Sequence, residues 1–425
     1  MKKFKLGLVL SFLLIASVMS AQEINSPYSR FGIGQLTERR VGTQIQSMGG
    51  ISIGFADPYI INPGNPASYG VYDSLTFVFQ SGIEGGFGTL KNTQNSSSYN
   101  HATLNEMVMG FPINKWWHVS MGVIPFSKVG YDVVESETIP GYAAMTSERW
   151  GTGGLSELYL GHSINLGKNL RIGLNMNYLF GNKSRYNIIY NSDSASVFSA
   201  KTEDYMSASG ILLDWGLQYD IHFKNNQVLT LGATYRNSAT VSAYHTTLST
   251  TLFGGYGSQV DDIKDTVQYI PRENGNLKIP ESIGLGFTYR KTGNWMFGGE
   301  MEWQNWSKYR AFGQADSLQN SLRLAVGGEL TPTHTNISPL SKRMTYRLGL
   351  RFNQSYVRLN GRSINEFALT GGVKMPFRRS RSNLNLGFEI GSRGTLNNNL
   401  VKESFINFTF GINIVETWFY KQRYR

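Results

Sequence analysis

Alternation of apolar and polar residues, repeated along most of the chain, is the feature that most constrains this sequence. In residues 170–180, Leu, Ile, Met, Tyr and Phe fill the even positions, while Arg, Gly and Asn fill most of the odd ones. Successive side chains of a strand point to opposite faces, so one face meets an apolar environment and the other a polar one. The pattern recurs in residues 213–223, 283–289 and 344–352. After the first 21 residues, the sequence contains no run of 18 apolar residues that could form a transmembrane helix.

Fourteen such segments can be counted, which predicts an all-β protein, a 14-stranded antiparallel transmembrane β-barrel. In lipid every backbone polar group has to be paired, so the sheet must close on itself. The connectors alternate in length, with long ones predicted at residues 128–154, 182–208 and 237–280, as in membrane barrels. The predicted strands are residues 75–89, 101–111, 117–127, 155–166, 169–181, 209–223, 228–236, 281–290, 295–303, 321–331, 344–353, 366–377, 383–392 and 405–418.

The composition agrees with an all-β chain and excludes several other classes. Charged residues are 16% of the 425, hydrophobic residues 40%, and Gly numbers 47. Zero Cys excludes disulfide scaffolds, thiolate zinc sites, iron–sulfur clusters and cysteine nucleophiles. The net charge of +11 does not indicate nucleic-acid binding, because the basic residues are spread over turns and could contact lipid phosphates. This basic rim comprises Lys115, Lys168, Lys224, Lys291, Lys342, Arg343, Arg378, Arg379, Arg381, Lys421, Arg423 and Arg425.

The first 21 residues have the three-part pattern of a secretory signal peptide. Lys2, Lys3 and Lys5 precede an apolar run over residues 6–18, and small residues follow at Ser20 and Ala21. We therefore expect cleavage after residue 21 and export to the outer membrane of a Gram-negative cell.

Residues 22–74 do not alternate and are dense in Gly and Pro, which predicts a compact, turn-rich segment. Fourteen strands enclose a lumen wider than their own side chains fill. We expect this segment to be a luminal plug, because its aromatic and aliphatic residues need burial. Residues 75–425 would then form the barrel.

Two further groups of residues carry predictions. Trp residues near strand ends predict interfacial aromatic belts, and charged residues on inward faces predict a luminal network of paired charges. The first group is Trp116, Trp117, Trp295, Trp303, Trp306 and Trp418. The second is Glu300, Glu302, Arg323, Glu329, Arg347 and Arg351.

An ordered set of short motifs resembles the FadL-like long-chain fatty acid transporter family. The resemblance rests on the segments Ser26–Gly34, Lys278–Phe287, Trp303–Ser307 and Trp418–Lys421, together with a hatch motif. The first and last of these look like the Bacteroidota branch. The family implies a 14-stranded outer-membrane barrel with an N-terminal hatch. The hatch-motif residues are Gly49, Gly50, Asp57, Asn65, Pro66 and Ala67.

No motif for catalysis or metal binding is present. The six His residues lack metal-ligand spacing, and His162 and Ser163 would face opposite sides of a strand. We expect no catalytic residue, no metal, no cofactor and no enzymatic activity.

Two functions remain open on the sequence alone. The first is passive uptake of small hydrophobic or amphipathic molecules through a plugged lumen. The alternative is a non-catalytic accessory subunit of an outer-membrane machine, in barrel assembly or type IX secretion. The expected partners are outer-membrane lipid, a hydrophobic small-molecule ligand in the first case and protein subunits in the second, with no nucleic acid.

Overall fold

Fourteen long strands form one closed antiparallel barrel in the computed structural model of the protein, which describes residues 26–37, 41–138, 144–191, 198–253, 263–316, 318–333 and 338–418. This confirms the predicted fold class and strand number. β7 and β8 are each interrupted once. The strands are β1 (Thr76–Lys91), β2 (Ser96–Pro112), β3 (Trp117–Thr138), β4 (Ala144–Leu166), β5 (Leu170–Asn191), β6 (Ser199–Phe223), β7 (Gln227–Arg236 and Ala239–Leu252), β8 (Ile263–Ile279 and Ser282–Lys291), β9 (Trp295–Gln304), β10 (Ser321–Leu330), β11 (Thr345–Leu359), β12 (Arg362–Pro376), β13 (Asn383–Gly394) and β14 (Lys402–Thr417).

The alternation in the sequence sets which face of each strand points outward. In β5, Ile172 and Met176 are exposed, as lipid-facing side chains must be, while Asn175 and Asn177 are buried on the inward face. A one-residue slip would turn every lipid-facing side chain inward, so the pattern fixes the register.

Strands that follow each other in the sequence are neighbours in the barrel, and the last strand pairs with the first. β14 pairs with β1 from Lys402 opposite Lys91 to Thr417 opposite Thr76 without a register shift. This long, regular seam closes the ring.

The long connectors predicted at residues 128–154, 182–208 and 237–280 are wrong, because strands extend through most of them. β3, β4, β5 and β6 are 22, 23, 22 and 25 residues long, whereas β9 and β10 have ten residues each. Roughly ten residues of a tilted strand cross the hydrocarbon core, so β3–β8 form a tall wall that rises well beyond it. Outside lipid neither face needs to be apolar, so alternation does not mark these parts.

Shorter elements lie before and between the wall strands. No helix of the described residues is long and apolar enough to cross a membrane. The N-terminal elements are a 3₁₀ turn Pro27–Arg30, a strand Gln35–Leu36, a helical turn Thr43–Gln46 and a 3₁₀ turn Pro66–Val71. Those between wall strands are 3₁₀ turns Trp306–Lys308 and Asn397–Asn399, a hairpin of Arg310–Ala311 with Gln314–Ala315, and a helical turn Leu340–Arg343.

The basic connectors lie together at one end of the barrel. Antiparallel strands bring the connectors that follow even-numbered strands to the same end, which here are residues 113–116, 167–169, 224–226, 292–294, 331–344 and 377–382. These carry the predicted rim except Lys291, the last residue of β8; Lys421, Arg423 and Arg425 fall outside the described residues, as does the predicted signal peptide.

Candidate functional site

The N-terminal segment, residues 26–37 and 41–72, lies within the ring of strands. The Asn175 amide on β5 donates to the Pro63 carbonyl (3.0 Å), and Asn413 on β14 donates to the Tyr59 carbonyl (2.6 Å). Thr288 on β8 donates to the Gly54 carbonyl at 2.7 Å. One segment that bonds to inward side chains on so many sides of the barrel occupies its interior.

Glycines on the inward face of the wall let this backbone approach closely. A side chain at Gly173 of β5 would collide with the backbone of Pro66, and one at Gly349 of β11 would collide with the backbone at Met48 and Gly49. The sequence shows these glycines on polar strand faces, but only the register reveals what they approach.

The hatch-motif residues hold the turns of the segment. Asn65 accepts a hydrogen bond from the Ala67 N–H (3.1 Å) at the start of the 3₁₀ turn and donates to the Ile53 carbonyl (2.7 Å). Pro66 is the first residue of that turn, as its fixed φ favours.

The other hatch-motif residues lie earlier in the segment. Gly49 has a φ of 74° and donates its N–H to the Thr370 hydroxyl of β12 (2.7 Å), and Gly50 has a φ of 81°. Asp57 accepts from the Tyr59 N–H at 2.8 Å. Gly49 thus contacts the wall directly, as does Asn65, whose amide donates to the Leu217 carbonyl of β6 at 3.3 Å. Asp57 shapes a turn within the segment.

The end of the segment is fastened to the basic end of the barrel. The Tyr59 hydroxyl donates to the Asp73 carboxylate, and Arg381, from the β12–β13 connector, pairs with Asp73 (3.3 Å). The Arg381 guanidinium also lies 4.9 Å from the centre of the Tyr59 ring. Burial, followed by the hydrogen bond to Asp73, raises the pKa of Tyr59 to about 12.

The six charged residues predicted in the lumen face inward and pair with each other or with further charges. Arg323 pairs with Glu300 and lies 3.4 Å from Glu302, and Arg347 pairs with Glu329 at 3.0 Å. The Glu300 carboxylate also accepts the N–H groups of Ser52 (2.6 Å) and Ile53 (2.8 Å), which ties the network to the N-terminal segment.

Arg351 joins a second cluster that sequence reasoning missed. It pairs with Glu366 and with Glu389 (3.1 Å), and Arg393 pairs with Glu366 and Glu403 (3.5 Å). Alternation in β12–β14 predicts that these side chains point inward, but which of them pair depends on the register between the strands.

An apolar cluster fills the lumen above these charges. Ile33 is fully buried among side chains of the tall wall, including Leu179 and Leu212. Trp306, predicted as an interfacial aromatic, belongs to this cluster, so that prediction is wrong. Trp306 is 2% exposed, and its ring stacks on that of Tyr356 with centroids 4.8 Å apart, because the connector after β9 folds inward.

The other predicted aromatics lie at strand ends. Trp116 and Trp418 are exposed, and Trp418 stacks on Phe77 with centroids 4.0 Å apart. Trp117 and Trp295 begin β3 and β9, at the basic end, and Trp303 lies at the opposite end of β9. A belt is therefore best defined at the basic end.

The ring of strands that forms the barrel wall has a gap between β2 and β3. Over the described residues these strands pair only from Met107–Pro112 to His118–Val123. Pro125 lacks the N–H that the ladder would need, and beyond it β3 pairs with β4 alone among the wall strands.

The N-terminal segment completes this free edge. Gln35 and Leu36 pair with Lys128 and Ser127 of β3, and the Thr37 N–H donates to the Phe126 carbonyl at 2.8 Å. The Ser26 N–H donates to the Gly130 carbonyl, also at 2.8 Å. The segment thus pairs with the β3 side of the gap over residues 126–130, from inside the barrel.

Two cavities within the lumen, among the described residues, are small and have charged side chains in their lining. One of about 90 Å³ lies behind the gap and is lined by His101, Lys128, Arg393 and Glu403 among others. Another of about 50 Å³ lies beside Arg236. Pockets for drug-sized ligands are about 300–1,000 Å³ and mostly apolar. An apolar concavity of about 610 Å³ exists, but outward side chains such as Leu285 and Phe367 line it, so it faces lipid.

No group of three or more His, Asp or Glu side chains that could hold a metal ion occurs in the part of the chain that the structure describes.

One family model, described as BamG, matches residues 1–425. The chain belongs to the BamG family. A search of curated proteins found no match. The predicted assignment to a Bacteroidota branch stays a prediction.

Solved structures of FadL-type channels share the fold of this BamG-family chain. The CymD monoaromatic hydrocarbon channel aligns with a TM-score of 0.58 at 13% identity, over 92% of this chain and 100% of its own. The toluene transporter TodX of Pseudomonas putida gives 0.57 at 14%, over 91% and 100%. A FadL homologue of Pseudomonas aeruginosa gives 0.58 at 12%, over 89% and 98%. The first is described as a channel, the second as a transporter and the third as a FadL homologue, and at such identities the likeness concerns the fold.

Proposed function

We propose that the protein is a non-catalytic subunit of an outer-membrane machine of the β-barrel assembly kind, an alternative that the match to the BamG family model favours. It would be exported with a cleaved signal peptide and reside in the outer membrane. The observation that carries the proposal is the occupied lumen. The N-terminal segment bonds to the wall on several sides, and the apolar cluster around Ile33 consists of the chain's own side chains.

A luminal path for hydrophobic molecules would need apolar space that a ligand can enter. The cavities described in the lumen, at about 90 and 50 Å³, are too small for that role. A barrel held shut by buried ion pairs suits a scaffold better than a conduit, because moving the segment would leave Glu300 without the Ser52 and Ile53 N–H donors.

Depletion of the protein tests this proposal. Levels of other outer-membrane barrels should fall several-fold, while uptake of toluene and long-chain fatty acids stays within twofold of the undepleted strain. Unchanged barrel levels together with reduced uptake would contradict it. A plasmid copy carrying Ile33→Val, a mild change in the buried cluster, should restore the barrel levels.

Passive uptake of hydrophobic molecules is the second candidate, and the β2–β3 gap favours it. The shared fold with the CymD and TodX channels also supports it. In this case residues 35–37 would have to leave the edge of β3 to open a lateral path. Cross-linking residue 36 to residue 127 through introduced cysteines should then abolish uptake, and reduction should restore it; the subunit function predicts no effect on uptake.

A further inference from the structure

Strand β2 contains a β-bulge that turns two consecutive polar side chains into the lumen. The pairing of β2 with β1 shifts by one residue at Asn105. Leu104 and Met107, on either side of the bulge, are each 50% exposed and face lipid, whereas Asn105 and Glu106 are both buried. Regular alternation would place Glu106 on the lipid-facing side of the strand. The bulge is therefore what brings its carboxylate inside the barrel.

A helical turn of the N-terminal segment, residues 43–46, packs on this bulge. The Gln46 side-chain amide donates to the Asn105 side-chain oxygen at 2.8 Å. Gly42, directly before the turn, lies so close to Glu106 that a side chain at this glycine would collide with the carboxylate. The bulge and the turn thus form one buried contact between the wall and the segment.

Four polar side-chain atoms at this contact have no hydrogen-bond partner, although the residues that carry them are at least 96% buried. Three of the four are oxygens. The Thr43 hydroxyl lies beside the carboxylate, because a side chain at Gly82 of β1, the residue opposite Glu106, would collide with this hydroxyl. Buried polar groups of folded proteins are nearly all paired with protein, water or an ion. The four atoms are Thr43 Oγ1, Gln46 Oε1, Asn105 Nδ2 and Glu106 Oε2.

Glu106 also lacks the countercharge that other luminal carboxylates have. Glu300 pairs with Arg323, and Glu329 pairs with Arg347. Glu106 is 3% exposed and, within the part of the chain that the structure describes, has no ion pair. The Thr43 backbone donates a hydrogen bond to its carboxylate, but Oε2 has no partner. A buried carboxylate without a positive partner is strongly unfavourable, so this contact calls for a cation.

We propose that the contact binds one alkali-metal cation, of the size of sodium or potassium. Hard cations prefer oxygen ligands, and the contact offers a carboxylate, a hydroxyl and an amide oxygen without partners. A single carboxylate balances one positive charge, which favours a monovalent ion over calcium. The ion would tie the turn at residues 43–46 to β2, and so hold the N-terminal segment to the wall beside the gap.

Thermal unfolding in detergent tests the proposal when sodium or potassium chloride is replaced by N-methyl-D-glucamine chloride at constant ionic strength. The organic cation is too bulky for a site closed by Gly42 and Gly82. The unfolding midpoint should be about 3 °C higher with the better of the two metal ions, and the rise should saturate with concentration. Equal midpoints in all three salts would overturn the proposal, because a protonated Glu106 or a bound water would give that result.

Glu106→Gln should abolish this response to the metal ion, because it removes the only charge at the contact. Glu329→Gln is the matched control, since Glu329 is also a luminal carboxylate but is paired with Arg347 at 3.0 Å; its response should remain. A full response in Glu106→Gln would overturn the site.

Thr43→Val keeps the site testable if Glu106→Gln does not fold. The Thr43 hydroxyl has no partner within the protein, so its removal costs nothing unless a ligand is bound there. The concentration of metal ion that gives half of the rise should increase about tenfold. Thr43→Ser retains the hydroxyl and should match the unaltered protein. A half-maximal concentration unchanged by Thr43→Val would contradict the proposed contact.

Discussion

The two seams on either side of the β1–β2 hairpin are built differently. β14 and β1 pair over their whole length, from Lys402 to Thr417, in an unbroken antiparallel ladder. β2 and β3 pair over six residues, and residues 26–37 contact the β3 edge from the lumen over residues 126–130. Closure of the ring is therefore separable from closure of the gap, since the first depends on the wall and the second on the N-terminal segment.

The largest expected effect comes from Ile33→Asp, which places a carboxylate in the fully buried apolar cluster. The change should cost about 4 kcal/mol or more and detach residues 26–37 from the β3 edge. Limited proteolysis of the protein in liposomes should then cut within this stretch, while the heat-modifiable gel mobility of the barrel persists. Ile33→Val should stay protected; loss of the folded barrel itself would show that the two closures are not separable.

Glu403→Leu should have the next largest effect, because Glu403 joins the regular seam to the gap. Its carboxylate accepts from the Ser26 hydroxyl (2.8 Å) and the Tyr99 hydroxyl (2.5 Å) and pairs with Arg393. Removing one member of this buried cluster should lower the free energy of unfolding by about 3 kcal/mol. Denaturant unfolding in detergent measures it.

The control for that measurement is Glu135→Leu, which breaks an exposed pair with Arg149. Its cost should stay below about 1 kcal/mol. Equal losses for the two variants would contradict the role given to the buried cluster.

Thr37→Pro tests the difference between the β14–β1 seam and the β2–β3 gap at a single hydrogen bond. It removes the N–H that donates to Phe126, and should cost about 1 kcal/mol. Amide exchange should speed up at residues 126–130 and stay unchanged along the β14–β1 seam. Thr37→Ala keeps the N–H and should leave both unchanged; faster exchange along the regular seam would argue against local closure.

The smallest effect on stability is expected at Tyr59. This residue holds the N-terminal segment at the basic end of the barrel, away from the residues 26–37 that contact the gap. Its pKa is raised from 10.0 to about 12, so the neutral phenol is the form that the fold favours. The stabilisation is fully present below pH 10 and is lost as the pH rises through 12. Ultraviolet titration should give a midpoint near 12 for the phenol that Tyr59→Phe removes; a midpoint near 10 would contradict the contact with Asp73.

The sequence predicts the parts of the strands that cross the lipid, because lipid requires apolar residues at alternate positions. It does not predict the parts of the structure that lie outside the lipid. All fourteen strands are recognisable because their lipid-facing positions must be apolar, as at Ile172 and Met176. The upper parts of β3–β8 carry no such pattern. The gap is also missed, although Pro125 inside a predicted strand was a signal that pairing ends there.

Within the candidate site, the sequence predicts which charged side chains point inward, but not which of them form ion pairs. The inward direction of Arg351 follows from alternation, yet its partners Glu366 and Glu389 lie on β12 and β13 and depend on register. Trp306 was misassigned because an aromatic at a strand end resembles an interfacial residue whether its connector folds outward or inward.

Single-channel recording in planar bilayers tests the central account most directly, namely that the N-terminal segment closes both the lumen and the β2–β3 gap. The chain from residue 22 onward should show no porin-like conductance, because its lumen is occupied. A variant lacking residues 26–72 should fold and conduct, since it retains the β14–β1 seam but loses the whole segment that occupies the lumen and pairs with β3. Stable conductance by the intact protein, or silence of the deletion variant in its folded form, would contradict the account.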